Sequence, residues 1–366
     1  MALMLKKYAN LLVNYCVSLQ PGEKLLIEST TLAEPLIREV YRAALQAGGL
    51  PHISMSFRDQ YNIRMKQSNK EQLQYVDPLY AKAMEEFEAY IHIRAPFNTR
   101  ASQNVDFEKA RIAAEAKAPY RKRYSERTAT LEMKRNLCEY PTLANAQNAG
   151  MSLEDYEEFI YNACYLNEAD PVFCWQEVGT WQQKIVDLLN TKSKIRYKGK
   201  GTDITFSTKG RVWINSDGKT NMPSGEVYTC PVENSANGIV HFSYPSIYLG
   251  EEVEGITLWV NEGYIEKWEA KKGQRLLDRI FQIEGARRFG EAAIGTNKSI
   301  QQPVKNILFD EKIGGTIHMA IGQSYLQTGG KNQSTIHWDM IADMMNGGEI
   351  YADDEKIYEN GEFLFL

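Results

Sequence analysis

His337-Trp338-Asp339 places an imidazole two residues from a carboxylate. In an extended segment such residues share one face, so the pair could grip a single metal ion, with Trp338 turned the other way into packing. Taken alone the pattern is weak, because a surface histidine beside an aspartate satisfies it equally. His318 lies in GGTIHMAIG, residues 314–322, a strand-like run whose flanking glycines let backbone approach a site closely. A core histidine in a tight strand fits the same run. The chain has only five histidines. His52 and His92 sit inside apolar strand-like runs and read as satisfied strand or core residues. His241, after Ile239-Val240, is left open.

Two carboxylates stand out among many. Glu226 ends a Pro/Gly turn in NMPSGEVYT, residues 221–229, which delivers it to the start of a strand. Glu291 follows Arg287-Arg288-Phe289-Gly290, where an amphipathic helical pattern over residues 273–289 runs out. Alone, either is an ordinary solvated acid. Together, two glutamates, two histidines and one aspartate supply the oxygen and imidazole ligands that divalent zinc, manganese or cobalt accept. An open catalytic zinc usually takes three protein ligands. Five suit two ions when one carboxylate bridges them, as co-catalytic hydrolases require. Competing motifs fail: Gly199-Lys200-Gly201-Thr202 lacks P-loop spacing, and no GxGxxG, HExxH or Gly-x-Ser-x-Gly occurs.

The elements that must position these groups change character along the chain. Helical spacing at Leu5, Tyr8, Leu11, Leu12 and Tyr15 is broken by Pro21-Gly22. Residues 24–28, 51–55 and 90–93 read as strands. Residues 33–47 read as a helix with Pro35 in its first turn and Gly48-Gly49 at its end. Residues 78–88, capped by Asp77, and residues 106–116 also look helical. Such alternation predicts an α/β domain with a mainly parallel sheet. From about residue 195 short alternating runs take over, at 194–197, 203–207, 211–214, 227–230, 238–242 and 256–260, separated by Ser216-Asp217-Gly218 and Glu262-Gly263. These are antiparallel strand signals. The expected organisation is an α/β domain over residues 1–194 and a strand-rich α+β metal-binding domain over 195–366.

Composition excludes several classes. With 366 residues, 43% hydrophobic and 24% charged, the chain can bury a sizeable core. A net charge of −5 gives no electrostatic reason to expect nucleic acid or an anionic membrane as partner. The Arg121-Lys122-Arg123 cluster has acids nearby and reads as a solvated helix face. Five scattered cysteines without a CxxC pair suggest free thiols in a reducing compartment. The N-terminal stretch is too polar for a signal peptide, and no run reaches the roughly 18 apolar residues of a membrane span. The expected compartment is the cytoplasm, where the two N-x-S sequons at Asn297 and Asn332 would go unused.

At these residues the sequence resembles the thermophilic metalloaminopeptidases, the family of aminopeptidases T and S. The similarity is carried by NMPSGEVYTCP at 221–231, RFGE at 288–291, FDEKIGGTIH at 309–318 and NQSTIHWD at 332–339. It extends through EYPTLANAQNAGMSLEDYEEF at 139–159 to the start of the chain. The resemblance implies that Glu226 and His318 serve one ion, that Glu291 bridges, and that His337 and Asp339 hold the second ion. It also implies a site tyrosine at Tyr325, a homodimer, and removal of N-terminal residues from short peptides. Glu226 or Glu291 would shuttle the proton from water activated between two zinc, cobalt or manganese ions. Two rival readings are a two-metal amidase or esterase on non-peptide substrates, and a non-catalytic oligomeric scaffold stabilised by metal. The stretch between Tyr325 and His337 is short in this chain, residues 326–336, which leaves substrate preference open.

Overall fold

The computed structural model describes residues 2–365. Its contacts define two compact units: one runs to Val172 and includes Gly218–Met222, the other comprises Phe173–Asp217 and the chain from Pro223.

The first unit is built on a five-stranded sheet in the order Leu50–Ser56, Lys24–Thr30, Ala89–Arg94, Lys134–Glu139, Asn221–Met222. Every pairing is parallel, as the alternation of helix and strand signals predicts. Leu25, Leu26 and Ile27 are buried as a continuous run, the signature of a strand covered on both faces. Helix Glu34–Gln46 accommodates Pro35 in its first turn, where the missing N–H would be unpaired anyway. Helix Phe107–Ala129 runs well past the expected end at 116, through Pro119. Its further turns place Tyr120 and Tyr124 against the cluster of Leu26, Met84 and Tyr90, and that packing outweighs the proline. His52 is on the expected strand but exposed, on the edge of the sheet, and His92 is half-buried.

The second unit is strand-rich. An eight-stranded antiparallel sheet and a five-stranded one contribute to a single large core. The expected change at residue 195 marks the first of these strands, Lys194–Gly199. The compact unit begins earlier because Ile185, Val186 and Leu189 of helix Pro171–Asn190 belong to that core. Residues 211–213, expected as strand, carry no regular structure: Arg211 N closes a turn by donating to Thr208 O at 2.9 Å, Val212 N donates to Thr328 O at 3.1 Å, and the strand is Ile214–Ser216.

The helix expected over 273–289 is a larger departure. Only Gln274–Ile280 is helical, and Phe289 already belongs to strand Phe289–Gly295. The helix stops at Ile280, and Gly285 bars any continuation to 289: it has φ +75°, and a Cβ there would lie 2.0 Å from the Gln333 carbonyl oxygen. The chain must turn at that point, so Glu291 stands on a strand and not at a helix end.

Candidate metal centre

The five-stranded antiparallel sheet of the second unit runs His337–Asp343, Thr316–Gly322, Phe289–Gly295, Glu226–Thr229, Ile214–Ser216. Side chains alternate across it. Val227, Ala292, Ile294, Ile317, Met319, Ile321, Trp338 and Met340 point into the hydrophobic core. The alternate positions carry Glu226, Glu291, His318, His337 and Asp339. Register brings them together: Glu291 pairs with Ala320, Ala320 with Asp339, and Gly322 with His337. Alanine and glycine thus separate the polar side chains and leave them room. Trp338 packs the other way, as its position between His337 and Asp339 predicts; it stacks on Tyr248 at 4.6 Å and donates to Ser246 Oγ at 3.1 Å.

Glu226 is delivered by the expected turn. Gly225 has φ +109°, and a Cβ there would meet that of Asn297 at 2.7 Å, so only glycine lets the two loops close. Asn297 Nδ2 donates to Ser224 O at 3.0 Å and ties them.

All five residues converge. His318 Nε2 is 3.2 Å from Glu226 Oε2 and 3.6 Å from Glu291 Oε1. His337 Nε2 is 3.0 Å from Glu291 Oε2 and 3.4 Å from Asp339 Oδ2. The two oxygens of Glu291 therefore face different histidines. Two triads result, Glu226 with Glu291 and His318, and Glu291 with His337 and Asp339, each with its donor atoms within 4.8 Å of one another. A third triad, Glu311 with His318 and Asp339, adjoins them.

These groups fit a metal ion on their own chemistry. Glu226 Oε2, both ring nitrogens of His318, His337 Nε2 and Asp339 Oδ1 are buried without a hydrogen-bond partner. Such orphaned groups are costly unless something binds them. His337 Nδ1 lies 2.8 Å from the Gln323 carbonyl oxygen, which can only accept. The ring therefore donates from Nδ1 and leaves the Nε2 lone pair facing inward, the arrangement of a metal-ligating imidazole.

The electrostatics are those of a compact charge cluster. Burial opposes charge on His318, but the carboxylates of Glu226 and Glu291 outweigh it and push its pKa up to about 10. Burial likewise opposes charge on His337, and Asp339 and Glu291 raise it far above the usual imidazole value. Asp339 is held at about 2: burial would raise it, but His337, then His318 and Lys312, dominate. The carboxylates that favour a proton on these rings would equally favour a metal cation at the same lone pairs. Tyr325 is half-buried, with its ring 4.9 Å from that of His337 and 5.7 Å from that of Tyr228. Burial, then the carboxylates of Glu291 and Asp339, push its phenol far above the ordinary value, so the hydroxyl keeps its proton as a donor.

Two further residues at the centre carry little distinctive sequence signal. Glu311 and Lys312 follow helix Ile307–Asp310, and the Lys312 ammonium donates to Glu226 Oε1 at 2.6 Å and pairs with Glu311. Burial pushes Glu311 up to about 7 despite the opposing pull of Lys312. Their only sequence signal is the FDEK run ahead of His318, which looks like any charged turn.

A chain that gathers two glutamates, two histidines and an aspartate around unpartnered lone pairs has the makings of a metal-dependent hydrolase, and the comparisons with known proteins agree. The family model of the thermophilic metalloproteases, M29, matches residues 2–363, and the chain belongs to that family. It is 29% identical to aminopeptidase 2 of Geobacillus stearothermophilus, over 99% of this chain and 98% of the relative. It is 27% identical to aminopeptidase PepS of Streptococcus thermophilus, over 98% of each chain. The solved structure of wild-type AmpT from Thermus thermophilus superimposes with a TM-score of 0.84 at 23% identity, covering 99% of both chains, and shows the same fold.

Proposed function

We propose that this metallopeptidase is a two-ion aminopeptidase, removing N-terminal residues from short peptides in the cytoplasm as a homodimer. The observation that carries the two-ion reading is Glu291, whose oxygens lie 3.6 Å from His318 and 3.0 Å from His337 respectively. Glu226 and His318 would hold one ion with Glu291, and His337 and Asp339 the other. Bound divalent cations (zinc, cobalt or manganese) would supply an activated water near neutral pH and a Lewis-acidic seat for the substrate's amine and carbonyl.

The chain's own residues account for the rest. The His337 tautomer is set by Gln323 O, so the ring presents its lone pair without rearrangement. Tyr325 keeps its phenolic proton and donates it as a hydrogen bond to the developing oxyanion. The carboxylates gather positive charge in a largely water-excluded face of the sheet, where each electrostatic contact is stronger than in water. No disulfide joins the five cysteines, and four of them are buried, in keeping with a reducing compartment.

Chelation tests the reading. Activity on aminoacyl chromogenic substrates should vanish in chelator and return with added zinc, cobalt or manganese. Full activity with metal shown absent by elemental analysis would overturn it.

A further inference from the structure

We infer that Lys312 is a positioning residue built into the centre: its ammonium pins Glu226 with one oxygen turned inward, and makes the Glu226–His318 end the one from which a divalent cation leaves first. The inference rests on the two-ion reading above.

Lysine is almost never fully buried unless paired. The Lys312 side chain has no exposure, and its partners are Glu226, at 2.6 Å from Oε1, and Glu311. The backbone holds it there: Asn297 N donates to Lys312 O at 2.9 Å, and Asp310 just before it accepts from Val304 N at 2.7 Å and Asn306 N at 3.1 Å. With Oε1 occupied, Glu226 has only Oε2 to offer, the atom that faces His318 and lacks a hydrogen-bond partner. Glu226 is thereby confined to a single-oxygen contact with any ion. The second oxygen, which could have strengthened that contact, is committed to a fixed cation.

Charge reinforces the geometry. Glu226, Glu291, Glu311 and Asp339 bring four carboxyl groups to the cluster, and Lys312 alone among their ion-pair partners in the described residues brings a permanent positive charge. Its contacts are at one end, with Glu226 and Glu311, and it reaches Asp339 only through space. A cation on Glu226 and His318 has the ammonium on the far oxygen of its own ligand. Among the described residues, a cation on His337 and Asp339 has no lysine or arginine contact in the ion pairs of those two ligands. Repulsion between charges this close in a site shielded from water is worth an order of magnitude or more in affinity.

The test is a stepwise chelator titration of the fully zinc-loaded protein, with metal counted by elemental analysis and the half-loaded state crystallised for anomalous scattering. The two ions should leave at free-zinc concentrations about tenfold or more apart. The ion that remains should lie between His337 and Asp339. Lys312→Gln and Lys312→Met should narrow the gap by strengthening the weaker step, again by about tenfold. A remaining ion on the Glu226–His318 side overturns the inference. So does a weaker step that is unchanged or weakened in folded Lys312→Gln. The wild-type titration stands even if neither variant folds, and a protein that never takes up a second ion overturns the two-ion reading together with this inference.

Discussion

Glu139 in the first unit and Glu226 in the second are buried to much the same degree, 1% and 5% exposed, but their surroundings differ in kind. Glu139 Oε1 accepts hydrogen bonds from two neutral donors of its own unit, Asn145 Nδ2 at 2.7 Å and Tyr156 Oη at 2.6 Å. Glu226 gives one oxygen to Lys312 and turns the other toward His318 without a hydrogen bond. Around it His318, His337 and Asp339 also have unpartnered buried atoms, whereas no atom of Glu139 lacks a partner in the same way. Buried charge that serves a fold is saturated by the fold. Buried charge left incomplete marks the place where a ligand completes it.

Substitution at the two sites should separate these roles. Glu291→Gln is expected to do most damage: it should lower kcat/KM on the order of a thousandfold and release metal, because an ion's electrostatic contribution of several kcal/mol is lost and each ~1.4 kcal/mol is tenfold. Retention of both ions with near-normal kcat would remove Glu291 from the bridging position. Tyr325→Phe comes next. Loss of one donor to the oxyanion should lower kcat by about a hundredfold with metal content unchanged, and a fall confined to metal content would show that the ring only packs. Glu139→Gln should have the smallest effect on chemistry and a visible one on folding. Disturbing a buried, hydrogen-bonded carboxylate is worth roughly 1–3 kcal/mol of stability, read as a lowered Tm with kcat and metal stoichiometry unaltered. If Glu139→Gln instead lowered metal content, the contrast between the two sites would collapse.

Sequence spacing was most informative where periodicity was short. His337 and Asp339 needed only a strand's two-residue repeat to be placed on one face, and Trp338 followed on the other. Glu226 was legible from the Pro/Gly turn ahead of it, and the parallel sheet from alternating apolar runs. Glu291 was legible as a candidate but not in its setting, because the helical pattern beyond residue 280 is cut by Gly285 against the Gln333 carbonyl, a contact between segments far apart in sequence. Helix Phe107–Ala129 was underestimated because tertiary packing carries it through Pro119. Glu311 and Lys312 were invisible for a related reason. A Glu-Lys pair in a loop has the composition of a solvated turn, and only the fold shows that Lys312 is fully buried against Glu226.

The central claim is that one carboxylate joins two ions, with His337 and Asp339 on the same one. A crystal structure of the zinc-loaded protein, with anomalous scattering to place the metal, tests it most directly. The account predicts two ions on the Glu291 carboxylate, one with a His337 nitrogen and an Asp339 oxygen both within roughly 2.0–2.3 Å, the other with Glu226 and His318. A single ion, or His337 and Asp339 bound to different ions, would contradict it.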